Sequence, residues 1–246
     1  MYTNVESLDR KKHAKWHLRG PEDSVSFAAK LHTVPLLSVE FAETARCYPI
    51  LFAEDNEKII QPIALLGLKQ DHNLFIKDNK WDPDFYVPAF IRRYPFITNS
   101  QGLVAVDADF GAKGGGEPFF NDKEENTEAL DKTIEFLTQF QGEIARTRGL
   151  VEKLALNKLL VDWNITAVTP AGEGYKFENL KIVNEQALMA LDKEQVFSLF
   201  PSAELFWIHA HLVSLGNVAR LLQRMPQAPA VKDSTTSTAL PKSKMN

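Results

Sequence analysis

The stretch from Trp81 to Phe96 gathers Trp81, Phe85, Tyr86, Phe90, Tyr94 and Phe96 around Arg92 and Arg93, with Asp82 and Asp84 just upstream. A guanidinium among aromatic faces makes cation–π contacts and forks onto carboxylates, so this combination points to a pocket for an anion or a partner. The same residues have a plainer use, with the aromatics in the core and one arginine paired internally to an aspartate. Trp81, Tyr86, Arg92, Arg93 and Tyr94 are the candidate binding residues. His211 joins them, because catalysis in such a pocket needs a titratable group such as His211, Asp82 or Cys47 converging on it.

Other constellations carry less. In His209-Ala210-His211 the rings are two residues apart, which on a helix sets them roughly 200° from each other and off any common ion. His13 and His17 have metal spacing only on a helix, and in a strand they sit about 13 Å apart. Asp107-Ala108-Asp109-Phe110-Gly111 with Glu117 misses the calcium-loop register, since its glycine falls one place early and its glutamate one place early. Gly114-Gly115-Gly116 has no following Lys-Ser/Thr and opens no G-x-G-x-x-G helix, so no nucleotide is implied. Nucleophile elbows, H-E-x-x-H and C-x-x-C are absent from the sequence. Cys47, beside Arg46, reads as a structural thiol. No catalytic residue, cofactor or metal is expected.

The elements that position these residues come from a repeated segment. Arg46-Cys47-Tyr48-Pro49-Ile50 recurs as Arg92-Arg93-Tyr94-Pro95-Phe96. A residue before proline is pushed out of the helical region and proline fits the first place of a strand, so each copy reads as helix, stop, strand. Helix 39–46 leads into a hairpin across Glu54-Asp55-Asn56-Glu57. Helix 88–93, with Pro88 in its first turn, leads into one across Asn99-Ser100-Gln101-Gly102. His13 to Arg19 alternates in polarity and reads as a half-buried strand with His13, Lys15, His17 and Arg19 outward. A further turn is expected at Lys77-Asp78-Asn79-Lys80 and a flexible loop at Gly111 to Gly116.

From Asn126, read as an N-cap, Leu130, Ile134, Leu137, Phe140 and Ile144 follow at helical spacing. Gly142 and Gly149 leave one helix or two open. Residues 163–168 and 174–183 flank a turn at Thr169 to Glu173 and make a hairpin. Asn184 caps a short helix and 194–200 holds another. Ala203 to Arg224 reads as one helix, with a seam of Leu205, Ile208, Leu212, Leu215, Ala219 and Leu222 widened by Phe206, Trp207 and Val218.

The 246 residues carry a net charge of −4 and are 44% hydrophobic. That is ordinary for a folded globule and lacks the basic excess of a nucleic-acid protein. One cysteine excludes an internal disulfide framework and fits a reducing compartment. The polar first 21 residues lack the apolar run of a signal peptide, and no window reaches a membrane span, so a cytoplasmic location is expected. Pro226 to Asn246, rich in Pro, Ser, Thr, Ala and Lys, reads as a disordered tail.

Val34-Pro35-Leu36 with Glu40-Phe41-Ala42, Tyr48-Pro49-Ile50-Leu51-Phe52, Ala64-Leu65-Leu66-Gly67-Leu68, Asn73-Leu74-Phe75-Ile76, Trp81 with Tyr86 through Phe96, and Ala210-His211-Leu212-Val213-Ser214-Leu215 together resemble the SapC family of bacterial proteins. The resemblance covers nearly the whole ordered length and supplies no catalytic residues. It implies a non-enzymatic accessory or binding protein linked to surface-layer or envelope processes, with partners in the envelope or export machinery. The alternative it implies is an enzyme or substrate-presenting partner beside a flavin-dependent tryptophan-halogenase-like protein. The expected fold is α+β: antiparallel sheets built from hairpins, including a duplicated helix–strand–turn–strand unit, packed against helices at 126–158 and 203–224. Residues 1–225 are read as a single domain, with a sub-boundary open near 111–126.

Overall fold

The structure, a computed structural model, describes residues 1–55, 57–99, 101–168, 174–200 and 202–225. The expected tail at 226–246, the 169–173 turn, and Asn56 and Ser100 of two other turns lie outside the described residues.

The two Tyr-Pro segments build matching units. In the first, α1 (Phe41–Ala45) leads into the hairpin of β3 (Ile50–Glu54) and β4 (Ile60–Leu65); in the second, α2 (Ala89–Arg92) leads into β7 (Phe96–Thr98) and β8 (Val104–Asp107). Each hairpin gains a strand from upstream on the same side. β2 (Thr33–Pro35) pairs antiparallel with β4, and β1 (Val5–Ser7) pairs antiparallel with β8. The second strand of each hairpin therefore lies in the middle of a three-stranded piece.

The first piece is extended. β9 (Leu160–Val168) and β10 (Gly174–Val183) form the expected hairpin, and β10 pairs with β3 to give the order β2-β4-β3-β10-β9. The second piece stops at β7. A two-residue pair, β5 (Ile76–Lys77) with β6 (Lys80–Trp81), turns through Asp78 and Asn79, both at positive φ as such a turn requires. The architecture is α+β with antiparallel sheets throughout.

The long helix is continuous: α3 (Glu128–Leu156) runs through Gly142 and Gly149. At 29 residues it is about 43 Å long. Its N-cap is Thr127 rather than Asn126. The Thr127 hydroxyl accepts from Leu130 N and donates to the Pro118 carbonyl, satisfying two groups where Asn126 instead bonds Asp131. Leu130 and Leu137 pack with Phe96, Val106, Phe119 and Phe120, while Leu150, Val151 and Leu154 belong to the main core under the large sheet. One helix thus ties both sheets together.

Three further expectations fail for identifiable reasons. His13 to Arg19 is not a strand. The Asp9 carboxylate accepts from Lys11 N and Lys12 N, curling the chain into turns, and the only pairing there is an isolated bridge of His17 with Pro118. His13, expected outward, is fully buried against Glu6 and Trp16. The Gly111 to Gly116 loop is docked, because a Cβ on Gly114 would meet the carbonyl oxygens of His17 and Leu18 at 2.2 and 2.3 Å.

The third failure is at the C-terminal end. Beyond α4 (Glu185–Met189) and α5 (Lys193–Leu199), the expected single helix is broken at Leu215-Gly216 into α6 (Glu204–Ser214) and α7 (Asn217–Arg224). Glycine is a weak helix former, and Asn217, the first residue of α7, bonds the Ala45 and Tyr48 carbonyls. The buried face is also rotated from the expected seam. It consists of Glu204, Trp207, Ile208, His211 and Ser214, whereas Phe206 is exposed. No single helix among the described residues is long and apolar enough to cross a membrane.

Candidate functional site

His211 is a clamp inside the core. Its Nδ1 donates to the Ile50 carbonyl at 2.9 Å and its Nε2 accepts from Val183 N at 3.0 Å, so one ring bridges β3 and the end of β10. One turn on, Ser214 Oγ accepts from Ile50 N at 2.9 Å. Both backbone groups of Ile50 are therefore met by α6, as buried amide groups require. Burial pushes the His211 pKa down to about 4, with the bond to Ile50 opposing. Asn217 extends the clamp by donating to the carbonyls of Ala45 and Tyr48.

Trp81 packs against the same main core. Its neighbour Asp82 does pair with an arginine, but with Arg224 at 2.7 Å. Arg92 and Arg93 are left without an acidic partner among the described residues. Arg92 lies at the surface, donating from Nε to the Val87 carbonyl and from its terminal nitrogen to Tyr86 Oη at 3.1 Å. Tyr86 in turn donates to the buried Glu40 carboxylate, which also accepts from Ala89 N and Leu37 N. Burial and the Glu40 charge push the Tyr86 hydroxyl up to about 12. This lattice fixes the start of α2 and so the direction in which Arg93 leaves it.

Arg93 is 9% exposed. Its guanidinium carbon lies 4.6 Å from the Phe90 ring centre, 4.6 Å from Phe140 and 5.5 Å from Tyr2. The Nε atom is buried with no hydrogen-bond partner among the described residues, while the Tyr2 side chain hydrogen-bonds the guanidinium. Burial lowers the arginine's pKa, opposed by the neighbouring Tyr2 hydroxyl. Tyr94 points elsewhere: it stacks on Phe27 at 4.1 Å and meets Phe110 edge-on, and burial beside Asp107 pushes its hydroxyl up to about 12.

Arg93 lines a cleft of about 270 Å³. One wall is a face of α3, formed by Phe140, Ile144, Thr147, Arg148 and Val151. The opposite wall is Leu36 and Leu37 with Ile59 and Ile60 at the start of β4. Thr147 holds the walls in register, accepting from Ser38 N at 2.8 Å. Among the described residues the cleft lining includes two arginines and no histidine, cysteine, aspartate or glutamate. Arg148 is exposed and pairs with no acid among the described residues.

A second, wider cleft of about 640 Å³ beside Cys47 and Phe85 has three arginines, but each is occupied. Arg46 pairs with Glu43 and Arg224 with Asp82, while Arg220 bonds the neutral Asn217 amide and keeps its charge, but is exposed to water. The smaller cleft is thus the one with an unneutralised, desolvated cation. Among the described residues no group of three or more His, Cys, Asp or Glu side chains could hold a metal ion.

The six residues singled out from the sequence therefore separate. Tyr86 and Arg92 touch, Arg93 enters the cleft, Tyr94 faces the smaller sheet, half-buried Trp81 packs against the main core and His211 is buried inside it. Sequence reasoning missed Ile144, Arg148 and the Ile59-Ile60 wall. The helical spacing of Phe140, Ile144, Thr147 and Val151 was the available signal, but it marks a packed face and an open one alike.

The SapC family model matches residues 8–221, and the chain belongs to the SapC family. Neither a curated protein nor a solved structure matches it.

Proposed function

We propose that this SapC-family member is a non-enzymatic binding or accessory protein serving surface-layer or envelope processes, and that it works through the cleft at Arg93. The observation that carries the reading is the guanidinium itself. A buried charge without a counter-ion is costly, and such groups are ordinarily paired. The three rings around Arg93 offset part of that cost, and they leave its charge available to a ligand. Catalysis would call for a titratable group converging on the same space, and the cleft lining offers none apart from its arginines.

The test is affinity purification of the tagged protein from its host after mild crosslinking, comparing wild type with Ile144→Trp, which fills the cleft from α3. Envelope or export components that co-purify with wild type and drop at least tenfold with Ile144→Trp are expected. A partner set unchanged by the filled cleft overturns the reading, as does recovery of a halogenase-like flavoprotein in their place.

A further inference from the structure

We infer that the ligand of this cleft is a monocarboxylate with a short apolar tail, its carboxylate on Arg93 and its tail along α3 toward Val151. The inference rests on the reading of the cleft as a binding site and adds the chemistry of its occupant.

Charge sets the head group. A guanidinium presents a planar fork that matches a carboxylate, and Arg93 contributes the one buried positive charge of the lining, Arg148 being exposed with its charge screened by water. A carboxylate leaves the pair neutral. A phosphate dianion would leave one charge buried without a partner.

Shape and lining set the tail. Phe140 and Val151 are 11 residues apart on α3, about 16 Å along the helix. Between them the walls are mainly Ile144, Leu36, Leu37, Ile59 and Ile60; the polar members are Thr147, whose hydroxyl is engaged with Ser38, and Gln61 and Arg148, both exposed. At about 30 Å³ per water-sized group, the 270 Å³ cleft holds roughly nine such groups. That is the size of a medium-length acid.

An extended peptide fits less well. β4 lies between β2 and β3, and beside the cleft Pro62 has no N–H and its carbonyl already accepts from Leu36 N, so the strand offers no ladder there.

The test is titration calorimetry of the full chain with octanoate, octanol, acetate and octyl phosphate. Octanoate should bind with one site per chain. Octanol, lacking the charge, and acetate, lacking the tail, should each bind at least tenfold more weakly, and octyl phosphate more weakly than octanoate. Shortening the acid should weaken binding about tenfold for every two methylenes removed. Arg93→Met, with its fold checked by circular dichroism, should lose at least tenfold in octanoate affinity.

Octanol equal to octanoate, octyl phosphate tighter than octanoate, or no octanoate binding overturns the inference without requiring any variant. Unchanged binding by a folded Arg93→Met overturns it as well. If octanoate fails while the crosslinked partners still depend on an open cleft, the ligand class falls and the binding site stands. If both assays ignore the cleft, both readings fall.

Discussion

At Cys47-Tyr48-Pro49 the joint between helix and strand lies under α6 and α7, whereas at Arg93-Tyr94-Pro95 the equivalent joint borders an open cleft. Around the first, Asn217 bonds the Ala45 and Tyr48 carbonyls, His211 and Ser214 bond Ile50, and Tyr48 donates to the Tyr86 carbonyl at 2.6 Å. The half-buried residue before that tyrosine is Cys47. Around the second, the residue before the tyrosine is a buried arginine whose Nε meets no acceptor. The β3 edge is continued by β10, and the β7 edge is not. The same helix-to-strand sequence step thus serves closure of the main core in one copy and presentation of a charge in the other.

The comparison breaks most visibly at His211. His211→Ala leaves Val183 N–H and the Ile50 carbonyl unpaired inside the core and opens a void, so a loss of about 4 kcal/mol in unfolding free energy is expected by urea denaturation. Retention of wild-type stability would remove the clamp from the first joint.

A pH series sharpens the same point. His211 is neutral when folded, with its pKa lowered to about 4, and returns to about 6.5 on unfolding. Between these values the unfolded chain binds the extra proton, so the stability His211 supplies is complete above pH 6.5 and is lost as pH falls toward 4. The difference between the two states corresponds to about 3 kcal/mol. The gap between wild type and His211→Ala should therefore shrink from about 4 kcal/mol at pH 7 to about 1 kcal/mol at pH 4. A constant gap would contradict the assignment.

Tyr48→Phe removes one hydroxyl-to-carbonyl bond and leaves the Tyr86 oxygen underused, with an expected cost of about 1 kcal/mol in the same denaturation assay. A change below a few tenths would show that the first joint is held by α6 and α7 alone.

Much of this contrast was legible as pattern. The Tyr-Pro repeat, its two hairpins and the later hairpin follow from proline geometry and alternation, and Asn184 caps α4 as its residue type implies. The polar residues misled. His211 and Ser214 look like breaks in an apolar seam, and only the position of Ile50, some 160 residues away, makes them the buried face. His13 alternates correctly for a strand, but Asp9 offers its backbone a turn instead. Arg93 was legible as chemistry and not as placement. Arg92, Arg93 and Tyr94 are consecutive, and the one-turn helix α2 sends them to the surface, the cleft and the smaller sheet respectively.

The smallest expected effect on stability tests the central claim, that Arg93 is held for a ligand and not for the fold. Urea unfolding of Arg93→Met exchanges the desolvation cost of a lone buried cation against its contacts with Phe90, Phe140 and Tyr2. These nearly cancel, and stability should change by less than about 1 kcal/mol. A loss of about 3 kcal/mol or more would mean that the arginine is a structural member of the second joint, and would contradict the account.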